Sequence, residues 1–487
     1  MNRTILFILF FSLLVKLQGQ INWDFTYGDS TTTDEGWCIK QTFDGGFILG
    51  GMANYQALLL KTDPEGILEW SQTYESAEVI KNVRQSSDGG IIATGYSTDP
   101  DPPWLEDLWV VKTDGSGNIQ WEQTFGTSNK NDWGEDILES HDGGIVVTGT
   151  QNDDGDNAKA MLRKYSSDGE LIWSNIFSSS NYNEGISLIE TSDNNFVFVG
   201  FSGTSHGAYK HFMVKADAEG NQIWKKRFGN NTQQSLNSVC EAPEGGYVAT
   251  GYCNNYEDVY IVKYSMDGDQ EWDWVIDASD SHDWDTDQAN DIIPASNGGY
   301  YILGSTSVYP GSAGQDDLWL LKTDEDGDTL WTEIIGGEYW DYGQSIIELD
   351  NGELILAGTT DSYTDYPNNP YDTDAWLISY TPEIMNVIDA DLGSYSDYKL
   401  YTAYPNPFNL ATTLRYDLPV DGLVNITIYD MKGRVVRTLL NREQTAGTIL
   451  IQWNATNDAG TPASAGLYLY VIQTDDFWQT KKMVLLK

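Results

Sequence analysis

Four histidines, His141, His206, His211 and His282, are the side chains of this sequence best suited to bind a metal or move a proton near neutral pH, and their spacing supports neither. None belongs to an HExxH, a His-x-His or another structural zinc pattern, so hydrolytic zinc chemistry has no ligand set. No GxSxG elbow supplies an activated serine. The glycine-rich runs are Asp-Gly-Gly turns that neither follow a parallel strand nor open a helix, which argues against a phosphate cradle. Carboxylates are so numerous that some pair falls near glycosidase spacing by chance. No catalytic residue is assigned on these grounds.

Oxygen-rich ligand chemistry remains. Asp153, Asp154 and Asp156, around Gly155, lie in a long variable loop and form a candidate Ca²⁺ site; the acidic run 324–328 forms another. Neither has EF-hand spacing, and hairpin-turn chemistry is the better account of both. A second candidate set combines exposed rings with acids: Trp104, Asp132, Trp133, Asp283, Trp284, Trp340 and Asp341 fall in the loops of variable length. Rings stack on sugar C–H surfaces and acids take hydroxyl hydrogen bonds, so this mixture suits a glycan- or protein-binding face. Alternatively, Trp133, Trp284 and Trp340 cap junctions between structural units.

The elements that must position these loops follow from a repeat. Tryptophan recurs at Trp23, Trp70, Trp121, Trp173, Trp224, Trp272 and Trp331, spaced by 47 to 59 residues. A turn signal runs in step, from Asp44-Gly45-Gly46 through Asp142-Gly143-Gly144 to Asp350-Asn351-Gly352. Each unit holds four strand-like runs joined by turns whose Gly or Asn supplies positive φ. Four antiparallel strands make one blade of a β-propeller. The sequence opens with a lone Trp strand near residues 22–27, and the repeat ends after a third strand near 375–380. The expectation is an all-β, seven-bladed β-propeller over 20–380, closed by its N-terminal strand.

Lys112-Thr113-Asp114, Gly117 and Trp121 resemble the repeat of quinoprotein-like propellers, and Ser166-Ser167-Asp168-Gly169 before Trp173 resembles the Asp-box of sialidase-type propellers. Both are structural turns in those families, so the resemblance implies fold and not chemistry.

Composition limits the partners. The 487 residues carry a formal charge of -46, and from Tyr398 onward nine Lys or Arg outnumber seven Asp or Glu, so the acidity belongs to the repeat. Such a field repels nucleic acid and anionic membrane. Cys38, Cys240 and Cys253 are too few for a disulfide framework. Arg3, the apolar run 5–15 and Gly19 read as a signal peptide over 1–19, too short to span a bilayer; no later stretch is apolar enough to cross.

After a linker at 381–400 the pattern changes. Alternating apolar positions predict an immunoglobulin-like β-sandwich over 401–487. Its residues Tyr404, Pro405, Asn406 and Pro407, the run Ile426-Thr427-Ile428-Tyr429-Asp430, Trp453, Gly466 and the ending with Lys481 and Lys482 closely resemble the C-terminal sorting domain of type IX secretion cargo. That resemblance implies export through the type IX machinery and a secreted or cell-surface location. The resulting expectation is an interaction protein, with a polysaccharide-acting propeller enzyme and a non-binding surface component as alternatives.

Overall fold

The computed structural model describes residues 19–486 except 29–32, 99–104, 127–129, 153–156, 179, 204–208, 230–232, 255–257, 278–285, 308–314, 365–372, 383–397, 401–402, 404–411, 421, 445–446, 459–460 and 475–476. Among the described residues every regular element is a strand.

The turns explain why the strands fold back so regularly. In the third unit Trp133–Glu139, Ile145–Asn152, Ala158–Tyr165 and Leu171–Phe177 pair antiparallel in chain order. Between the first two, the Ser140 hydroxyl and the Gly144 N–H both donate to Asp142 Oδ1, at 2.7 and 3.1 Å, and Gly143 takes a φ of 80°. The acid thus substitutes for a backbone carbonyl and glycine meets the left-handed angle. The same order builds the four-stranded units opened by Asp34–Gln41, Val79–Gln85, Tyr182–Glu190, Ser235–Glu241 and Asp287–Pro294. One parallel pair, Ala158 opposite Tyr182, joins the third and fourth units into a larger sheet. The last unit takes Asp341–Glu348, Leu354–Thr360 and Asp374–Thr381, and its fourth strand is Gln20–Tyr27, with Trp23 opposite Ser379 and Tyr27 opposite Ala375. This is an all-β, propeller-like repeat.

Recurring side chains tie each unit to the next. The indole of Trp121 packs on Gly169 in the third-to-fourth-strand turn of the following unit, and its Nε1 donates to Ser167 O at 2.9 Å. A Cβ on Gly169 would lie 2.7 Å from the ring, and its φ is 86°. Trp23 meets Gly66, Trp70 meets Gly117, Trp173 meets Gly220, Trp224 meets Gly268 and Trp272 meets Gly327 in the same way. The turn glycine therefore repeats with the tryptophan because each makes room for the other. Within a unit, a buried third-strand lysine holds the turn acid: Lys61 to Asp44 at 3.0 Å, Lys164 to Asp142 and Lys215 to Asp193 at 2.7 Å, Lys112 to Asp88 and Lys263 to Glu244. Backbone N–H groups of these turns donate onward to the next unit, Ser87 to Glu139 at 2.6 Å and Ser192 to Glu241 at 2.8 Å.

First strands pack successively against one another along the chain, and Asp341–Glu348 packs back on Asp34–Gln41. Cys38, Cys240 and Cys253 are buried free thiols; Cys240 sits opposite Val248 and Cys253 opposite Asp258.

The C-terminal region is built separately. Lys399–Leu400, inside the stretch read as linker, pairs with Thr412–Leu418, which pairs with Gly447–Trp453. A second sheet runs Val435–Gln444, Gly422–Asp430, Gly466–Gln473, Trp478–Leu485. Leu414, Tyr416 and Trp453 from the first meet Ile426, Ile428, Tyr470 and Met483 from the second in one buried core. The alternation of apolar residues along each strand is what two facing sheets require.

Candidate functional site

Every first strand slips by one residue against its second strand, and at equivalent places. The slips fall between Gly36 and Cys38, Ile80 and Asn82, Gly134 and Asp136, Gly185 and Ser187, Leu236 and Ser238, Ala289 and Asp291, and Gly343 and Ser345. A bulge of this kind adds an unpaired residue and bends the strand. Backbone crowding demands glycine before two of them, since a Cβ on Gly36 or Gly343 would lie 2.7 Å from Gly358 O or Gly304 O. The bulge residues are Trp37, Lys81, Glu135, Ile186, Asn237, Asn290 and Gln344, and all of them line one cavity of about 390 Å³ between the first strands.

The residues following the bulges hold that wall together. Asp136 accepts the Leu188 N–H of the next unit at 2.7 Å and is 3.6 Å from Arg84 of the preceding one. Asp291, three units on, accepts the Ile346 N–H at 3.0 Å and the hydroxyls of Ser238 and Ser345 at 2.8 and 3.0 Å. Each aspartate thus spans three consecutive units. Asn237 and Asn290 add amide bonds to Ala289 O and Gly343 O, at 2.9 and 2.8 Å.

One side of the cavity is chemically distinct. Lys81 places its Nζ 3.3 Å from the centroid of the Trp37 ring, a cation–π contact. The charges of Glu135, Glu35, Glu106 and Glu184 act on it, opposing the burial that pushes its ammonium below the usual lysine range. Glu35 accepts the Trp37 indole N–H at 2.9 Å, and Glu106 accepts the indole N–H of Trp133 and the Asn131 amide. Burial raises Glu135, with Lys81 pulling the other way. Burial, then the charge of Glu135, lifts Glu184 to about 7 against a hydrogen bond from Tyr182. Tyr182 stacks on Phe201, centroids 5.9 Å apart, and Phe201 meets Tyr209 at 4.7 Å. The arrangement combines aromatic faces, buried carboxyl groups of which Glu184 exchanges its proton near neutrality, and the Lys81 ammonium, chemistry suited to holding a polar ligand.

The residues singled out from the sequence fall differently. Asp132 and Asp341 occupy equivalent first-strand starts and are fully buried. Asp132 accepts the Asn152 N–H at 2.7 Å; Asp341 accepts the Gly337 N–H and the Ser362 hydroxyl, both at 2.7 Å, and the Thr360 hydroxyl. Trp133 is half-buried and bound to Glu106 across a unit junction, whereas Trp340 is 38 % exposed. Trp104, Asp283 and Trp284 lie outside the described residues, as do Asp153, Asp154 and Asp156 and the motif residues Tyr404, Pro405, Asn406 and Pro407. Among the described residues no three of His, Cys, Asp or Glu converge as a metal site. Gly466 opens the strand Gly466–Gln473, and Lys481 and Lys482 pair opposite Tyr470 and Leu469.

Trp37, Lys81, Glu135 and Glu184 were not singled out, yet three of them obey one rule. Seven positions before the turn residues Asp44, Asp88, Asp142, Asp193, Glu244, Asn297 and Asn351, the sequence reads Trp, Lys, Glu, Ile, Asn, Asn, Gln. That column changes residue class from unit to unit while lining one cavity.

Comparison with known proteins gives one family match and several structural likenesses. Residues 411–476 match the FlgD Ig-like domain family, so the C-terminal region is immunoglobulin-like. No curated protein sequence matches the chain. Among solved structures it is similar to PorZ, a surface component of the type IX secretion system of Porphyromonas gingivalis, with 11% identity and a TM-score of 0.42 over 94% of this chain and 60% of PorZ. Virginiamycin B lyase from Staphylococcus aureus is similar at 13% identity and a TM-score of 0.44, over 73% of this chain and 98% of the lyase. The β-propeller domain of the Trilobed protease from Pyrococcus furiosus gives 12% identity and a TM-score of 0.37, over 70% and 92%.

Proposed function

We propose that the protein is a secreted or cell-surface interaction protein: a closed, seven-bladed β-propeller whose channel mouth binds an extracellular glycan or protein, followed by a C-terminal sorting module. The observation that carries the binding reading is the bulge column, which collects Trp37, Lys81 and Glu135 around one cavity. Uniform columns serve packing; a variable column on a shared cavity serves recognition. Closure is supported by the pairing of Gln20–Tyr27 with Asp374–Thr381 and by the return of the last first strand onto the first. Trp340 and Trp133 would form part of the rim.

Export through type IX secretion rests on the sequence of the leader and of residues 404–487, with an Ig-like fold as the expected frame for a sorting domain. A glycan array probed with the exported protein, beside pull-downs of extracellular proteins, tests the binding reading; signals unchanged in Trp37→Ala would remove the channel from it. Deleting 404–487 tests export: full secretion of the shortened chain would end the sorting role.

One observation favours hydrolase or lyase chemistry as a second reading. Glu184, lifted to about 7, stands near Glu135 in a different setting, and unequal carboxyl groups are what acid–base catalysis uses. Turnover on a polysaccharide panel, lost in Glu184→Gln, would establish it.

A further inference from the structure

We infer that the channel mouth takes an organic cation, the ammonium or guanidinium end of a flexible chain; this deepens the ligand-binding reading and rests on it. Two acceptors on the cavity wall lack a hydrogen-bond partner among the described residues. Glu135 makes no hydrogen bond and no ion pair within 4 Å among the described residues. Asn82 Oδ1, on a residue lining the same cavity, is buried without a hydrogen-bond partner. Asn237 and Asn290 each give one amide N–H, to Ala289 O and Gly343 O. The Lys81 ammonium rests on the Trp37 ring rather than in an ion pair within 4 Å among the described residues.

The other charges are accounted for. Arg84 donates to Ile137 O at 2.6 Å and lies 3.6 Å from Asp136. Asp291 is taken up by Ser238, Ser345 and Ile346. Lys40, three residues beyond Trp37, also lines the cavity, and its charge acts on Asp136. Glu35, Glu106 and Glu184 add negative charge around Lys81. Around Lys81 the balance is therefore negative, since the four carboxyl groups of Glu35, Glu106, Glu135 and Glu184 act on one ammonium. A neutral sugar would leave that charge as it is. A metal ion needs converging ligands, which the described residues do not supply. A group with several N–H donors on one positive centre meets Glu135 and Asn82 together.

The test titrates two cations, spermidine and the peptide acetyl-Gly-Arg-Gly-amide, into the full-length exported protein by calorimetry, with the citrulline peptide and cellohexaose as uncharged controls. At least one cation should bind well above both controls. Glu135→Gln should weaken it roughly ten-fold with an unchanged melting temperature. Lys81→Gln, which removes the resident competitor, should tighten it a few-fold, an effect no loss of structure would produce. Binding at pH 7 should release protons, read as a heat that changes with the buffer. Spermidine alone binding identifies a polyamine source; the peptide alone identifies a protein. Cellohexaose binding that is lost in Trp37→Ala, with no cation bound, overturns the cation class while the ligand-binding reading survives. No binding by any probe, or equal affinity in Glu135→Gln, overturns the inference, and the glycan array and pull-downs then decide the binding reading independently.

Discussion

Asp317 and Asp341 stand face to face at one unit junction: beside Gly336, Oδ1 of Asp317 lies 2.0 Å and Oδ2 of Asp341 2.9 Å from the point a Cβ would occupy. Asp341 is answered by the Gly337 N–H and the hydroxyls of Ser362 and Thr360, whereas Asp317 Oδ1 has no hydrogen-bond partner. Burial first, then the charges of Asp341 and Asp316, lifts Asp317 to about 7. Two adjacent carboxylates cannot both ionise cheaply, so the proton stays on Asp317. The same two columns bring Asp374 and Asp34 together beside Gly28, 1.9 and 3.0 Å from its Cβ point.

The folded chain therefore holds a proton on Asp317 that the unfolded chain releases near pH 4. The stability contributed is full below that pH and is lost as pH rises through about 7. Asp317→Asn keeps the shape and removes the charge, so it should stabilise at pH 8, by no more than about 4 kcal/mol, and change little at pH 4.5. Urea unfolding at the two pH values checks this; a variant destabilised more at pH 8 than at pH 4.5 would contradict it.

Lys164 and Asp142 should respond unequally to substitution. The lysine is buried and the acid side chain is 64% exposed, at 2.7 Å. Asp142→Asn keeps the turn bonds of Ser140 and Gly144 but strands an ammonium away from water, at a cost of about 1–3 kcal/mol. Lys164→Met leaves a solvated acid and should cost under about 1 kcal/mol. Because the Lys164 ammonium, with the Ser140 hydroxyl, lowers Asp142 to about 2, the pair's contribution is present above pH 4 and fades as pH falls through 2. Equal losses in the two variants at pH 7 would refute the asymmetry.

Trp121→Ala should cost about 2–4 kcal/mol by emptying the space over Gly169. Gly169→Ala should cost about 2 kcal/mol, combining a φ of 86° with a Cβ 2.7 Å from the indole. Since the steric part needs both side chains, the double variant should lose less than the sum. Strict additivity in denaturant unfolding would disprove the contact.

Removing residues 20–27 should expose the edge of Asp374–Thr381 and uncover Gly66. Hydrogen exchange should rise first in the last unit and in the first, which share that seam. Faster exchange confined to the middle units would count against closure.

How much of this the sequence told depends on repetition. Trp121, Gly169, Asp142 and Lys164 recur because packing imposes the same demand on every unit, so four strands per unit were legible from the repeat. One turn was misread: Asp350 looked like the partner of Asp44, but Gly352 N–H returns to Leu349 O as Gly45 N–H returns to Thr42 O, which puts Asn351 in that column. Asp132 and Asp341 looked like loop acids because composition does not report burial; the Asn152 N–H and the Thr360 hydroxyl that bond them come from residues some 20 positions away. Lys81 and Glu135 escaped notice because a bulge, which turns an extra residue toward the axis, has no residue type of its own.

Joining Asn22 to Ser379, at 3.0 Å, links residues 357 apart in the chain. The entropic cost of that closure grows only logarithmically, about 5 kcal/mol, so the difficulty is one of search time rather than of energy. Until it succeeds, the N-terminal strand and the edge it will cover are both unsatisfied, and either can find its complement on another molecule. At high concentration, refolding should therefore pass through dimers that have traded this one strand, which dilution would return slowly to single chains.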